Sequence, residues 1–176
     1  MESLPDQRYP ALAKSDDELL KEIFAILSRR TQGSPYGDDS EFASVIRLLP
    51  SGLRAMAATH WLDISLTLDS IGWHFLNFGE ANLVNETHLG LRELGLDDLA
   101  GWFMEAYDIV NPLKAEIRES DEYLETLRDH GVLDRMDELS KLAWDQDGPD
   151  RKPKRSAIYD SWVRYARLHL ERVFGS

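Results

Sequence analysis

The run Ser51-Gly-Leu-Arg-Ala-Met-Ala-Ala-Thr-His-Trp-Leu-Asp-Ile-Ser-Leu-Thr-Leu-Asp69 decides the fold. Its spacing is helical, and Leu53, Met56, Ala57, Trp61, Leu62, Ile64, Leu66 and Leu68 leave few faces polar. A helix that is apolar nearly all round has to be wrapped by other elements, so this one is expected at the buried centre. Ser51 is placed to cap it, and Gly72 to break the chain after it.

The flanks repeat the same period. Ser15 and Glu18 form a capping-box pattern ahead of Leu19, Leu20, Ile23, Phe24, Ile26 and Leu27. Phe42, Val45, Ile46 and Leu49 mark a short helix that ends near Pro50. Downstream, Trp73, Phe75, Leu76 and Phe78 read as a compact aromatic turn closed by Gly79. An amphipathic segment over 82–94 stops at Gly95, and Asp97 or Asp98 caps the next, whose inner face is Leu99, Trp102, Phe103, Ala106, Ile109 and Val110. Pro112 ends or kinks it. Ser120 opens a helix stopped at Gly131, and Leu133, Met136, Leu139, Leu142 and Ala143 mark another. A polar loop at about 145–155 precedes a last helix over about 156–173. The expectation is all-α: a single globular domain of seven or eight helices over 15–174, with an N-terminal arm over 1–14. No fixed-period repeat supports a solenoid.

Composition limits the function classes. The 176 residues hold 43% hydrophobic and seventeen aromatic side chains, enough for a core. Without cysteine there is no disulfide, thiolate metal site or cysteine nucleophile. Glu2 and Asp6 stand where a signal peptide would be basic and then apolar, and no run reaches the ~18 apolar residues of a membrane span. A cytoplasmic protein of bacterial type is the expectation, with no membrane role.

No chemistry-bearing motif emerges. His60, His74, His88, His130 and His169 lack zinc-site spacing. His60 lies three residues before Asp63, which reads first as a hydrogen-bonded core pair and second as a proton-transfer pair. Asp145, Asp147 and Asp150 fail as a calcium loop, because the sixth residue is Asp150 where glycine is needed and the twelfth is Ser156 where glutamate is needed. Glycine-rich phosphate loops and serine-nucleophile elbows are missing. The sequence therefore assigns no catalytic residues, no metal ligands and no cofactor.

Charge is the main functional clue. Residues 97–150 hold sixteen acids against five bases, for a net −11 of the overall −12. Residues 1–96 carry −6 and residues 151–176 carry +5. On a helix, residues three or four apart are neighbours, so Glu119, Glu122 and Glu125, the pair Asp121 and Glu125, and Asp134, Asp137 and Glu138 form rows. Such a surface repels nucleic acid and attracts basic proteins. An ordinary solvated face is the plain alternative. The basic run Arg151, Lys152, Lys154 and Arg155 is read first as a solvated loop, next as an intramolecular or intersubunit contact with the acidic helices, and last as a phosphate contact.

Residues 69–78, Asp-Ser-Ile-Gly-Trp-His-Phe-Leu-Asn-Phe, resemble the glycine-aromatic turn of the bacterial DNA-mimic-protein-like family, an all-helical group. Residues 85–95, Asp98-Leu99-Ala100 onward, and Tyr165 with His169 and Phe174 resemble its following helices and its close. Ile71 stands where that family has the first of two glycines. The resemblance implies an all-α domain, a homodimer, and an acidic surface that imitates duplex phosphates and occupies the basic face of a regulator.

The combined expectation is a protein-binding domain with a basic partner, a transcriptional regulator or a toxin. Its phosphate surrogates would be Glu105, Asp108, Glu116, Glu119, Asp121, Glu122, Glu125, Asp129, Asp134, Asp137 and Glu138. Two other readings stay open: an immunity or antitoxin-like inhibitor using the same surface, and an enzyme or small-ligand binder near His60, Asp63, Trp73 and His74.

Overall fold

The computed structural model describes residues 14–117, 120–145 and 155–175. Among them the chain forms α1 (Asp16–Arg30), α2 (Phe42–Ile46), α3 (Ser51–Leu68), α4 (Ile71–Asn77), α5 (Ala81–Glu93) and α6 (Asp97–Val110). A 3-10 segment (Asn111–Glu116), α7 (Ser120–Asp129), α8 (Leu133–Asp145), α9 (Ala157–Leu168) and α10 (Leu170–Phe174) follow, and no strand occurs among the described residues.

α3 is the axis that the sequence indicated. It packs against α1, α2, α4, α5, α8, α9 and α10, with α5 as its most extensive partner. Small residues on α3 let the neighbours close in. The Thr87 hydroxyl of α5 donates to the Ala58 carbonyl at 3.0 Å, and the Trp162 indole of α9 donates to the Thr59 hydroxyl at 3.0 Å. Trp162, Phe75 and Phe103 are buried completely, and each ring of this size removes roughly 150–250 Å² from water.

Several expected details change. Ser51 is the first helical residue, not the cap; Pro50 holds the cap position. The aromatic turn is a seven-residue helix, α4, because the Ser70 hydroxyl accepts from the Trp73 amide and starts it. Glu80 caps α5 by accepting from the amides of Asn82 and Leu83. Asp97 and Asp98 both lie inside the first turn of α6, where negative charge suits the helix dipole. The final helix is interrupted at His169, whose backbone leaves the helical region (φ −136°, ψ 55°). α4 and this interruption account for the two helices beyond eight. The Ser15–Glu18 capping box forms as expected.

Candidate functional site: the acidic helices

α6, α7 and α8 carry the acids, and each is fixed by an apolar stripe. Leu99, Phe103, Ala106 and Val110 anchor α6; Tyr123 and Leu127 anchor α7; Met136, Leu139 and Ala143 anchor α8. α7 turns into α8 at Gly131, which takes φ 68°. The Gly131 amide donates to the Arg128 carbonyl at 2.9 Å and the Val132 amide to the Leu127 carbonyl at 2.9 Å, a Schellman stop that needs this left-handed residue.

The predicted phosphate surrogates fall into four groups. Glu105 is held bidentately by Arg135, whose Nε and Nη2 donate at 2.7 and 2.8 Å; the same guanidinium bonds Glu138. The Arg135 hydrogen bond is the main reason that the Glu105 carboxyl is held below its usual range. Glu116 lies 2.9 Å from the His130 ring. Asp108, Glu125, Asp129, Asp134 and Asp137 are exposed and form no ion pair among the described residues. Glu122 is half-buried. Glu119 and the side chain of Asp121 lie outside the described residues, as does Arg118. Arg128 and Lys141 are exposed beside this set. The structure thus leaves five of the eleven carboxylates as outward-facing charges, while one arginine occupies two others.

Elsewhere several acids are tied down. Glu86 is buried on α5 and receives Arg47 Nε at 2.7 Å, Arg54 Nε at 2.5 Å and Arg54 Nη2 at 2.8 Å. Burial alone would raise its carboxyl, but the bonds from Arg54 and Arg47 outweigh that and the net shift is downward. Asp16 receives Arg167 and Arg155, and Arg172 meets Glu93 at 3.0 Å. Arg155 also meets Asp160 at 2.9 Å. This end of the basic run is therefore an intramolecular clamp on α1 and α9, not a solvated loop. Arg151, Lys152 and Lys154 lie outside the described residues.

The histidine region is built as core. His60 Nδ1 lies 3.0 Å from the Tyr159 hydroxyl, and Tyr159 in turn hydrogen-bonds Asp63, which also accepts from Ser156. The expected His60–Asp63 pair is thus linked through a tyrosine that sequence spacing did not reveal. Burial lowers the His60 pKa. His74 is enclosed by Phe75, Phe78 and Phe103, and burial brings its pKa down to about 3. The Ser65 hydroxyl donates to the Trp61 carbonyl at 3.0 Å, so His74 Nδ1–H donates to Ser65 Oγ at 2.9 Å and Nε2 keeps a bare lone pair. Among the described residues, no group of three or more His, Asp and Glu is arranged to hold a metal ion.

Among the described residues, three concavities lie elsewhere. An open groove of about 920 Å³ runs past Leu76, Tyr107, Asn111 and Lys114. A shallow one of about 200 Å³ lies over Arg54, Glu86 and Gly90. A third, of about 230 Å³, lies between α4, α7 and α8 and is bounded by Asp69, Trp73, Tyr123, Leu124 and Asp137. None of these three is lined by His60, Asp63 or His74.

Sequence reasoning missed Glu86 and Asp69. Glu86 carried a readable signal: it sits in the inward stripe Leu83, Glu86, Thr87, Gly90, Leu91, where a lone carboxylate calls for a cation. Asp69 gave none, since its neighbour across the cavity, Asp137, is distant in sequence.

The fold and these helices define a class: an all-α protein with an outward acidic surface and no helix long and apolar enough to cross a membrane among the described residues. The family described as DMP19-like protein matches residues 47–166, and the chain belongs to it. No curated protein and no solved structure matches the chain.

Proposed function

We propose that this protein acts by binding a basic protein through the exposed carboxylates of α6, α7 and α8, as a mimic of duplex DNA. The observation that carries the reading is the state of Asp108, Glu125, Asp129, Asp134 and Asp137. They stand on helices pinned by buried stripes and no cation of the described fold takes them. Rows of fixed negative charge are what a DNA-binding surface is built to receive, and membership of the family supports the same role.

The partner is a DNA-binding protein whose cationic face normally meets phosphates. Such contacts weaken as salt rises. The test is capture on immobilised protein followed by competition. Duplex DNA displaces a mimic's partner, and changing Glu125, Asp129, Asp134 and Asp137 to their amides prevents capture while the helical circular dichroism stays intact. Capture that persists in the amide variant and in excess duplex DNA would rule out mimicry.

A further inference from the structure

The cavity between α4, α7 and α8 has a composition unlike the rest of the acidic surface. Trp73 and Tyr123 meet edge to face in its wall, with ring centroids 5.2 Å apart and planes at 79°. Leu124, 52% exposed, extends the apolar lining to the outside. Asp69, from the end of α3, and Asp137, from α8, are both exposed at its edge. A Cβ at Gly72 would collide with Tyr123 Oη and Met136 Cε, so α7 and α8 lie directly on the α4 backbone and fix the wall. Burial pushes the Tyr123 hydroxyl up to about 12, Ser70 opposes that rise, and Asp69 and Asp137 add to it; both carboxylates thus act on one hydroxyl.

We propose that this cavity is an anchor site for one arginine side chain of the basic partner. The inference rests on the acidic-surface reading above and adds where and how the partner is gripped. Size selects the ligand class first: about 230 Å³ is below the ~300–1,000 Å³ of sites for drug-sized molecules, and suits one long side chain. Charge selects next. A neutral apolar group would desolvate Asp69 and Asp137 without compensation, whereas a cation pairs with them. Shape selects last. A planar guanidinium stacks on aromatic faces and forks onto carboxylates, and a compact ammonium does neither as well. A long stem also covers Leu124 while its head reaches the acids.

The probes are Nα-acetyl-arginine methylamide, its lysine counterpart and its citrulline counterpart, which keeps the shape and loses the charge. The readout is the Trp73 indole N–H resonance, assigned by substitution. The arginine probe should shift it saturably, the lysine probe should bind about tenfold more weakly, and citrulline should leave it unmoved. Asp137→Asn should weaken arginine about tenfold, and Ser140→Phe, which fills the cavity from α8, should abolish the shift. An unmoved Trp73 with arginine, or equal binding of citrulline, overturns the anchor site; if the basic partner is then still captured in a salt-sensitive way, the acidic-surface reading survives alone. A saturable, charge-dependent shift, with partner capture lost on Asp137→Asn but unaffected by amide changes at Glu125, Asp129 and Asp134, supports the anchor site and overturns the broader reading.

Discussion

On α1 and α5, the carboxylates of Asp16, Glu86 and Glu93 are each gripped by arginines from other parts of the chain; on α7 and α8, those of Glu125, Asp129, Asp134 and Asp137 face outward with no ion pair among the described residues. The residue types are the same and the consequences differ. Arg47 and Arg54 reach Glu86 from 39 and 32 residues away, and Arg167 reaches Asp16 across 151. Those acids hold the fold together. Glu125 and Asp129 on α7, and Asp134 and Asp137 on α8, do the opposite, because like charges a turn apart repel by a few tenths of a kcal/mol per pair. Charge kept at a cost to stability points to a use outside the fold. The acids of the chain therefore include two populations.

The comparison breaks first at Glu86. Glu86→Ala should destabilise the protein by about 3 kcal/mol, read as a lower urea midpoint, because a buried partner is removed from two arginines. The half-exposed arginines can rehydrate, which keeps the loss at the low end for a buried pair.

Next comes acid. The folded-state pKa of His74 is about 3 against 6.5 when unfolded, so the unfolded chain binds the extra proton as pH falls below 6.5. Its contribution is complete above 6.5 and drains by up to about 1.4 kcal/mol per pH unit on the way down. The carboxyls of Glu86 and Asp16 are also held low; the largest cause at Glu86 is burial, which raises it and is overcome by Arg54 and Arg47, and at Asp16 it is the bond from Arg167. Their share is present above the unfolded carboxyl pKa and is lost as pH falls through the folded values. Thermal melts should decline below pH 6.5 in the wild type, and His74→Leu should flatten the part between 6.5 and 4.5 while leaving the later loss.

Asp16→Asn should cost about 1 kcal/mol, since Arg155 and Arg167 remain partly solvated when freed. The smallest change is expected on α7 and α8. Amide substitution of Glu125, Asp129, Asp134 and Asp137 should leave the urea midpoint unchanged or raise it slightly. A loss as large as that of Glu86→Ala would put these acids in the structural population after all.

Much of the fold was legible because helical periodicity is written locally. The all-round apolar run of α3, the capping box of α1 and the stops at Gly95 and Gly131 follow from residues within a few positions of each other. α4 was harder: seven residues are too few for periodicity to separate a helix from an aromatic turn, and the Ser70 cap was the only local sign. The break at His169 has no proline or glycine to announce it. The acidic site was legible as composition and not as pairing. Nothing near Glu105 indicates that Arg135 will take it, and nothing near Asp69 indicates that Asp137 stands across a cavity, because those meetings are made by tertiary packing.

Location has to be separated from net charge, and one binding measurement does so. The dissociation constant for an arginine-rich helical peptide is compared at about 50 mM and about 200 mM salt. The proteins are the wild type, the amide variant at Glu125, Asp129, Asp134 and Asp137, and a control with the exposed acids Asp17, Asp39, Glu41 and Glu171 changed in the same way. The account predicts strong, salt-sensitive binding for the wild type and the control, and weak binding with little salt dependence for the α7–α8 variant. Equal weakening in both variants would mean that the peptide responds only to overall charge, and would contradict an organised binding surface.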